Sequence, residues 1–243
     1  MRKSTLTSVL LIALVLLSSS ISLNCAAAQN VESASVRLDE PFHTRTAGTQ
    51  IGHLEQKWQP VERAIQDELK IVAACSVATD KCSSDAAIKF RNIMDEASGH
   101  EGRIRLAYIN RAVNLAVKYT SDTRAHGIPD HWATPFDTLE SGKGDCEDYA
   151  ITKFALLRAM NWPAKDLRIV LVYISRKREY HAVEAARLGH DWLILDNALS
   201  GISPDTKLPN YRPLFVIDES AVRTLYRPAR ADQPEINNWN KVE

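Results

Sequence analysis

The chain has no surplus of charge. Its 30 Lys and Arg balance 30 Asp and Glu over 243 residues. Without a basic excess it lacks the electrostatic footprint of a nucleic-acid partner. It has no internal repeat and no low-complexity stretch, which excludes repeat arrays and biased linkers. Cysteine is scarce at four residues, and no clustering of Cys and His suggests a structural zinc site. No EF-hand loop is present.

What is there begins with residues 1–28, which read as a signal peptide. Arg2 and Lys3 form a positive start, and Leu6 to Leu17 is an apolar run too short for a comfortable membrane span. Ala26-Ala27-Ala28 offers a cleavage site. Asn24 before Cys25 is a poor fit to lipid attachment, and an uncleaved anchor is the main alternative. Export to the periplasm is the expectation. The remaining chain, about 215 residues, suits one domain.

An exported chain would keep Cys75, Cys82 and Cys146. Parity in an oxidising compartment expects one pair and one free thiol. Cys75 and Cys82 enclose a short polar loop, so a disulfide there is geometrically easy; the alternative is half a metal site. Cys146 is then the odd thiol.

Residues 29–58 are polar and read as an extended N-terminal arm. Pro60 sits where helices begin, and Val61, Ile65, Leu69 and Val72 form a stripe. Ser84 or Asp85 starts a second helix with Phe90, Ile93, Met94 and Ala97 on one face, and a third runs from Gly102 to Tyr119. Residues 121–144 read as loop. A fourth helix runs from Cys146 to Met160, apolar over a wide arc, and ends before Pro163. The period then changes to that of strands at Arg168–Ser175, Tyr180–Arg187 and Trp192–Asn197, with a shorter one at Leu214–Ile217. Helices followed by an antiparallel sheet predict an α+β domain over residues 59–230, with a tail at 231–243.

The chemistry concentrates in GKGDCEDY, residues 142–149. Cys146 follows a Gly-rich turn and opens a helix, where backbone amides and a nearby imidazolium favour thiolate. His181 begins one predicted strand and Asp196 ends the next. With a turn centred on Leu188-Gly189, Val183 faces Ile194, Ala185 faces Trp192, and His181 faces Asp196 on the same side. Directly opposed residues have Cβ atoms about 4.5–5.5 Å apart, close enough for a carboxylate to orient an imidazole. The Cys146 helix is expected to pack on that face. Each residue alone has an ordinary structural explanation; their order and register together point to a Cys146–His181–Asp196 triad. His53, His100, His126, His131 and His190 lie in polar or loop contexts.

Asp145 and Glu147 flank the thiol and Asp148 follows. Anions there raise a thiol's pKa. From spacing alone, Asp145 reads as a helix cap and the others as complements of the helix dipole. A hard cation such as Ca²⁺ is the alternative.

GDCEDYAITKFALLRAMNWP, with YHAVEAA and WLILDN, resembles the bacterial transglutaminase-like cysteine proteinases. The similarity also takes in NRAVNLAVKYTSD, PDHWATP and the Cys75–Cys82 loop, and spans about Cys75 to Ile217. The resemblance implies a papain/transglutaminase-like core, with Cys146 as nucleophile, His181 as base and then acid, and Asp196 orienting His181. It implies Ca²⁺ held by Asp145 and Glu147, with Asp148 as a third ligand. It further implies a periplasmic protease acting on a protein substrate such as a surface adhesin, under an inner-membrane receptor that responds to cyclic di-GMP. Acyl transfer to an amine and a non-catalytic docking module of the same fold are the rival expectations.

Overall fold

The computed structural model describes residues 40–50, 52–77, 82 and 84–228. The signal peptide and cleavage site, residues 29–39 of the arm, and the tail at 231–243 lie outside them. No described helix is long and apolar enough to cross a membrane.

Residues 40–50 and 52–58 are not an extended arm. A short 3-10 turn at Pro41–His43 leads into β1 (Arg45–Gln50), and α1 (Gly52–Val77) begins well before Pro60. The reason is that the apolar stripe continues upstream: Leu54 and Trp58 are buried in phase with Val61 and Ile65. A proline inside a helix costs about 3 kcal/mol. Burial of each large apolar side chain contributes about 1.5–3 kcal/mol, which offsets it. Trp58 packs edge-on against Phe154 and donates its indole N–H to the Asp218 carbonyl at 2.9 Å.

Helix α2 (Asp85–Ser98) starts as expected, with the Ser84 hydroxyl accepting from the Ala87 amide at 3.2 Å. Helix α3 (Gly102–Ala116) buries Leu106, Ile109 and Val113. It stops short of Tyr119 because Val117 is extended and β2 (Lys118–Tyr119) pairs in parallel with β3 (Lys143–Gly144). Between them, α4 (Asp122–Ala125) and α5 (Pro135–Ser141) occupy the segment expected to be loop. The second of these is capped by Thr134 and ends on Gly142 in the left-handed region. Helix α6 (Cys146–Ala159) buries every residue from Asp148 to Leu157. It is the central helix of the core, consistent with its wide apolar arc.

The strands that follow are β4 (Leu167–Ile174), β5 (Glu179–Leu188), β6 (Asp191–Leu195), β7 (Ser203–Pro204), β8 (Tyr211–Ile217) and β9 (Val222–Tyr226). They form a seven-stranded antiparallel sheet in the order β1-β9-β8-β4-β5-β6-β7. Strand β8 starts earlier than Leu214 because a register shift between Leu171 and Val172 admits Pro213 beside Val172. Ala182, Ala186, Leu193 and Leu195 pack against α6 and the other helices. On the opposite face, Val170, Val172, Val183, Ala185, Trp192 and Ile194 form a second core with Phe42 and Tyr211. The fold is α+β.

Cys75 and Cys82 are bridged, and Cys146 is free. Replacing both bridged cysteines by serine should lower stability by about 2–3 kcal/mol for so short a loop while leaving the reactivity of Cys146 unchanged. Non-reducing peptide mapping checks the pairing: a disulfide at Cys146 in active protein would contradict it.

Candidate active site

The β5–β6 hairpin turns at Gly189-His190 rather than Leu188-Gly189. Gly189 takes the positive φ of 65° that the turn requires, so Leu188 stays in the ladder opposite Asp191. The register is therefore displaced by two residues, with Ala185 opposite Ile194 and Glu184 opposite Leu195. Continued one step, it sets Asp196 across from Val183 instead of His181. A two-residue shift preserves the faces, and the two side chains meet diagonally. His181 Nε2 lies 2.8 Å from Asp196 Oδ1.

Asp196 is fully buried and fixed on three sides. Besides His181, it accepts the Ala198 amide at Oδ1 (2.7 Å) and the Tyr211 hydroxyl at Oδ2 (2.6 Å). Burial alone would raise its pKa. The hydrogen bond and charge of His181, then Tyr211 and Ala198, outweigh burial and hold the carboxyl below its usual range. An ionised carboxylate only accepts hydrogen bonds. Nε2 of His181 therefore carries the hydrogen, and Nδ1 is left as the basic nitrogen. Tyr211 also packs edge-on against the His181 ring at 6.5 Å. It escaped sequence reasoning because Pro213 made its segment read as loop.

Helix α6 does not pack on the face that carries His181. It lies against the Ala182 and Ala186 side of β5, the opposite one. The reason is size: alanines at those positions let a fully buried helix approach closely, whereas the other face holds bulky Trp192 and Tyr211. Cys146 opens α6 near β5, and the Ala182 backbone acts on its sulfur in the direction that favours the thiolate. No direct hydrogen bond joins Cys146 to His181. The thiol instead donates to Glu147 Oε2 at 3.0 Å.

The electrostatics around the sulfur oppose ionisation. Burial, then the charge and hydrogen bond of Glu147, push the Cys146 thiol up. Burial and Asp145 push Glu147 up to about 9. Burial pushes Asp148 up to about 7 and raises Asp145 as well. Asp148 is also architectural. Its carboxylate accepts the amides of Ala133 (2.8 Å) and Asp145 (3.0 Å), tying the loop before α5 to the entry of α6. A Cβ on Gly144 would sit 2.8 Å from Asp148 Cβ, so only glycine fits there.

Asp145 and Glu147 lie together with Cys146, but Asp145 and Asp148 also gather a third carboxylate, Asp122. One oxygen from each of these three lies within 4.8 Å of the others. Asp122 Oδ1 and Asp145 Oδ1 are buried without a hydrogen-bond partner. Among the described residues no Lys or Arg is paired with any of the three. Oxygen-only donors with unsatisfied buried atoms fit a hard divalent cation such as Ca²⁺. Asp122 was invisible to local pattern, since only tertiary packing brings α4 to the start of α6.

The family model of the bacterial transglutaminase-like cysteine proteinases (BTLCP) matches residues 63–220. Among solved structures, Legionella pneumophila LapG aligns with a TM-score of 0.52 and 23% identity, over 66% of this chain and 87% of that one. Its calcium-bound form gives the same figures. Its EGTA-treated form has the same score and identity, over 66% of this chain and 84% of that one. At such identity the likeness carries the fold. No curated protein matches the sequence.

Proposed function

This chain belongs to the bacterial transglutaminase-like cysteine proteinases, and from that premise we propose that it is an exported thiol peptidase with a Cys146–His181–Asp196 triad. The observation that carries this is the His181–Asp196 pair at 2.8 Å; Cys146 opens the helix that packs on the strand bearing His181, and the Ala182 backbone acts on its sulfur. His181 Nδ1 takes the thiol proton as Cys146 Sγ attacks the peptide carbonyl. The tetrahedral oxyanion is stabilised by the free amides at the start of α6. His181 then delivers the proton to the leaving amine, giving an acyl-enzyme that water hydrolyses by the same route in reverse. Asp196 keeps the ring in the tautomer that both steps need.

Asp122, Asp145 and Asp148 would hold Ca²⁺, with Glu147 alongside. The ion would supply positive charge that offsets the carboxylates beside the thiol. Glu147, relieved of that repulsion, would leave the thiol hydrogen to His181. The substrate is a protein of the periplasm or cell surface, with an adhesin as first candidate and an inner-membrane receptor as regulator, both taken from the resemblance.

The test is to compare new protein N-termini in periplasmic and surface fractions from cells carrying wild type or Cys146→Ala. A substrate appears as a fragment present only with the wild type. Identical N-termini in both would count against proteolysis.

A further inference from the structure

We propose that the segment from Glu40 to Thr44 is a working part of the site: its Phe42 seats Tyr211, whose hydroxyl positions the Asp196 carboxylate for His181. Phe42 and Tyr211 are positioning residues that act through Asp196. This rests on the triad reading above and deepens it.

The chain of contacts is direct. The Tyr211 hydroxyl donates to Asp196 Oδ2 at 2.6 Å, and the Tyr211 ring meets the His181 ring edge-on at 6.5 Å. Phe42 stacks on Tyr211, with centroids 6.3 Å apart and planes 21° apart. Both rings are buried in the core on the His181 face of the sheet. The segment that delivers Phe42 is held in a strained conformation. Phe42 (φ 63°) and His43 (φ 55°) both take left-handed backbone, which is unfavourable for any side chain with a Cβ and uncommon for a bulky one. Such a conformation persists only where its surroundings over-determine it. Here the Phe42 amide donates to the buried Asp205 Oδ2 at 2.5 Å, and the Thr44 hydroxyl donates to the Pro41 carbonyl at 2.7 Å. Glu40 accepts from Arg168 at 2.8 and 3.3 Å. Asp205 opens a 3-10 turn at Asp205–Lys207, and just beyond it the Tyr211 amide donates to the Leu208 carbonyl at 3.0 Å. The short stretch 205–211 therefore anchors both rings. Filling a core requires neither a left-handed phenylalanine nor a buried carboxylate. Fixing the ring that donates to Asp196 accounts for both.

Burial, then the hydrogen bond and charge of Asp196, push the Tyr211 hydroxyl up, so it remains a donor. Its loss would leave Oδ2 of a fully buried carboxylate without that donor. A protonated His181 compensates the carboxylate and a neutral one does so less, so the ring should hold its second proton more tightly. The other charges that act on Asp196 and Tyr211 are Lys153, from α6, and Glu179, from β5; the variants below leave both in place.

The titration of the His181 ring, followed by NMR of its Cε1–H signal in the full chain and assigned with His181→Gln, reads the effect. Tyr211→Phe removes one oxygen and keeps the ring. It should move the midpoint up by about half a pH unit, roughly a threefold tighter hold on the proton. Phe42→Ala should move it the same way, and the double variant no further than Tyr211→Phe alone, because Phe42 acts through the hydroxyl. If Phe42→Ala unfolds the chain, Phe42→Leu, which keeps most of the buried volume and loses the ring, is measured against the same criterion. Asp196→Asn should move the midpoint down. An unmoved midpoint in Tyr211→Phe would overturn the inference while leaving the triad standing. So would Phe42 variants that lower the melting temperature and leave the midpoint in place, since the ring would then be core packing only. An unmoved midpoint in Asp196→Asn would overturn both.

Discussion

Cys146→Ala and His181→Ala should each abolish proteolysis, whereas Asp196→Asn should leave a measurable remnant. The first two remove the atoms that make and break bonds. A positioned base is worth about 10²–10⁴-fold, and loss of the sulfur removes the covalent route altogether. Asp196 acts only through the ring, by accepting its Nε2 hydrogen at 2.8 Å. An asparagine oxygen can still accept that hydrogen, and Tyr211 can still donate to the side chain. What is lost is the negative charge that stabilises the imidazolium. The ranking is checked by the rate of substrate cleavage at fixed pH. Equal activities in Asp196→Asn and wild type would remove Asp196 from the mechanism.

Chelation should have an effect of similar size. EGTA should inhibit, Ca²⁺ should restore, and Mg²⁺ should restore poorly, because its small octahedral shell tolerates irregular ligands badly. The physical cause is the set of carboxylates around a sulfur that must itself become an anion. Asp145→Ala or Glu147→Ala should mimic EGTA, and Asp122→Ala should do the same, which separates a metal ligand from a mere helix cap. Stability should follow pH in a defined direction. Asp148 and Glu147 are raised from ordinary values of 3.8 and 4.5 to about 7 and about 9. They therefore hold protons that the unfolded chain has already released, and this favours folding at low pH. The contribution is full below the ordinary values, declines as the pH rises above them, and is gone above about 7 for Asp148 and about 9 for Glu147. The metal-free melting temperature should fall from mildly acidic pH up to about 9, and added Ca²⁺ should raise it most at the alkaline end. Full activity in EGTA, with no calcium binding by calorimetry, would leave the carboxylates as caps.

Much of this was legible in the chain because it depends on local pattern. Ser84, the Leu106–Ile109–Val113 stripe and the apolar arc of α6 each announce a helix. Strand periodicity located β4, β5 and β6 to within a residue or two. The free thiol followed from cysteine parity. What was hidden depends on non-local packing. Pro60 masked the first two turns of α1, whose justification is Trp58 against Phe154, nearly a hundred residues away. Pro213 masked Tyr211 for a similar reason, since a bulge in the β4–β8 pairing accommodates it. The hairpin register erred by two because Leu188 and Gly189 were both given to the turn, although only Gly189 needed the left-handed backbone. Parity survived that error, so His181 and Asp196 still fell on one face. The side chosen for α6 did not, because alternation alone does not say which face of a sheet the helices cover. Asp122 carries no local signature at all; its meaning comes from the carboxylates that tertiary structure brings to it.

The central claim is that Cys146 is a nucleophile activated by His181. Mass spectrometry of iodoacetamide labelling near neutral pH, with Ca²⁺ present, tests it without a known substrate. Wild-type Cys146 should label faster than a free model thiol, and His181→Ala should bring it below that rate. A wild-type rate no faster than the model thiol, unchanged by His181→Ala, would mean that neither the helix nor the imidazole activates the sulfur, and would contradict the claim.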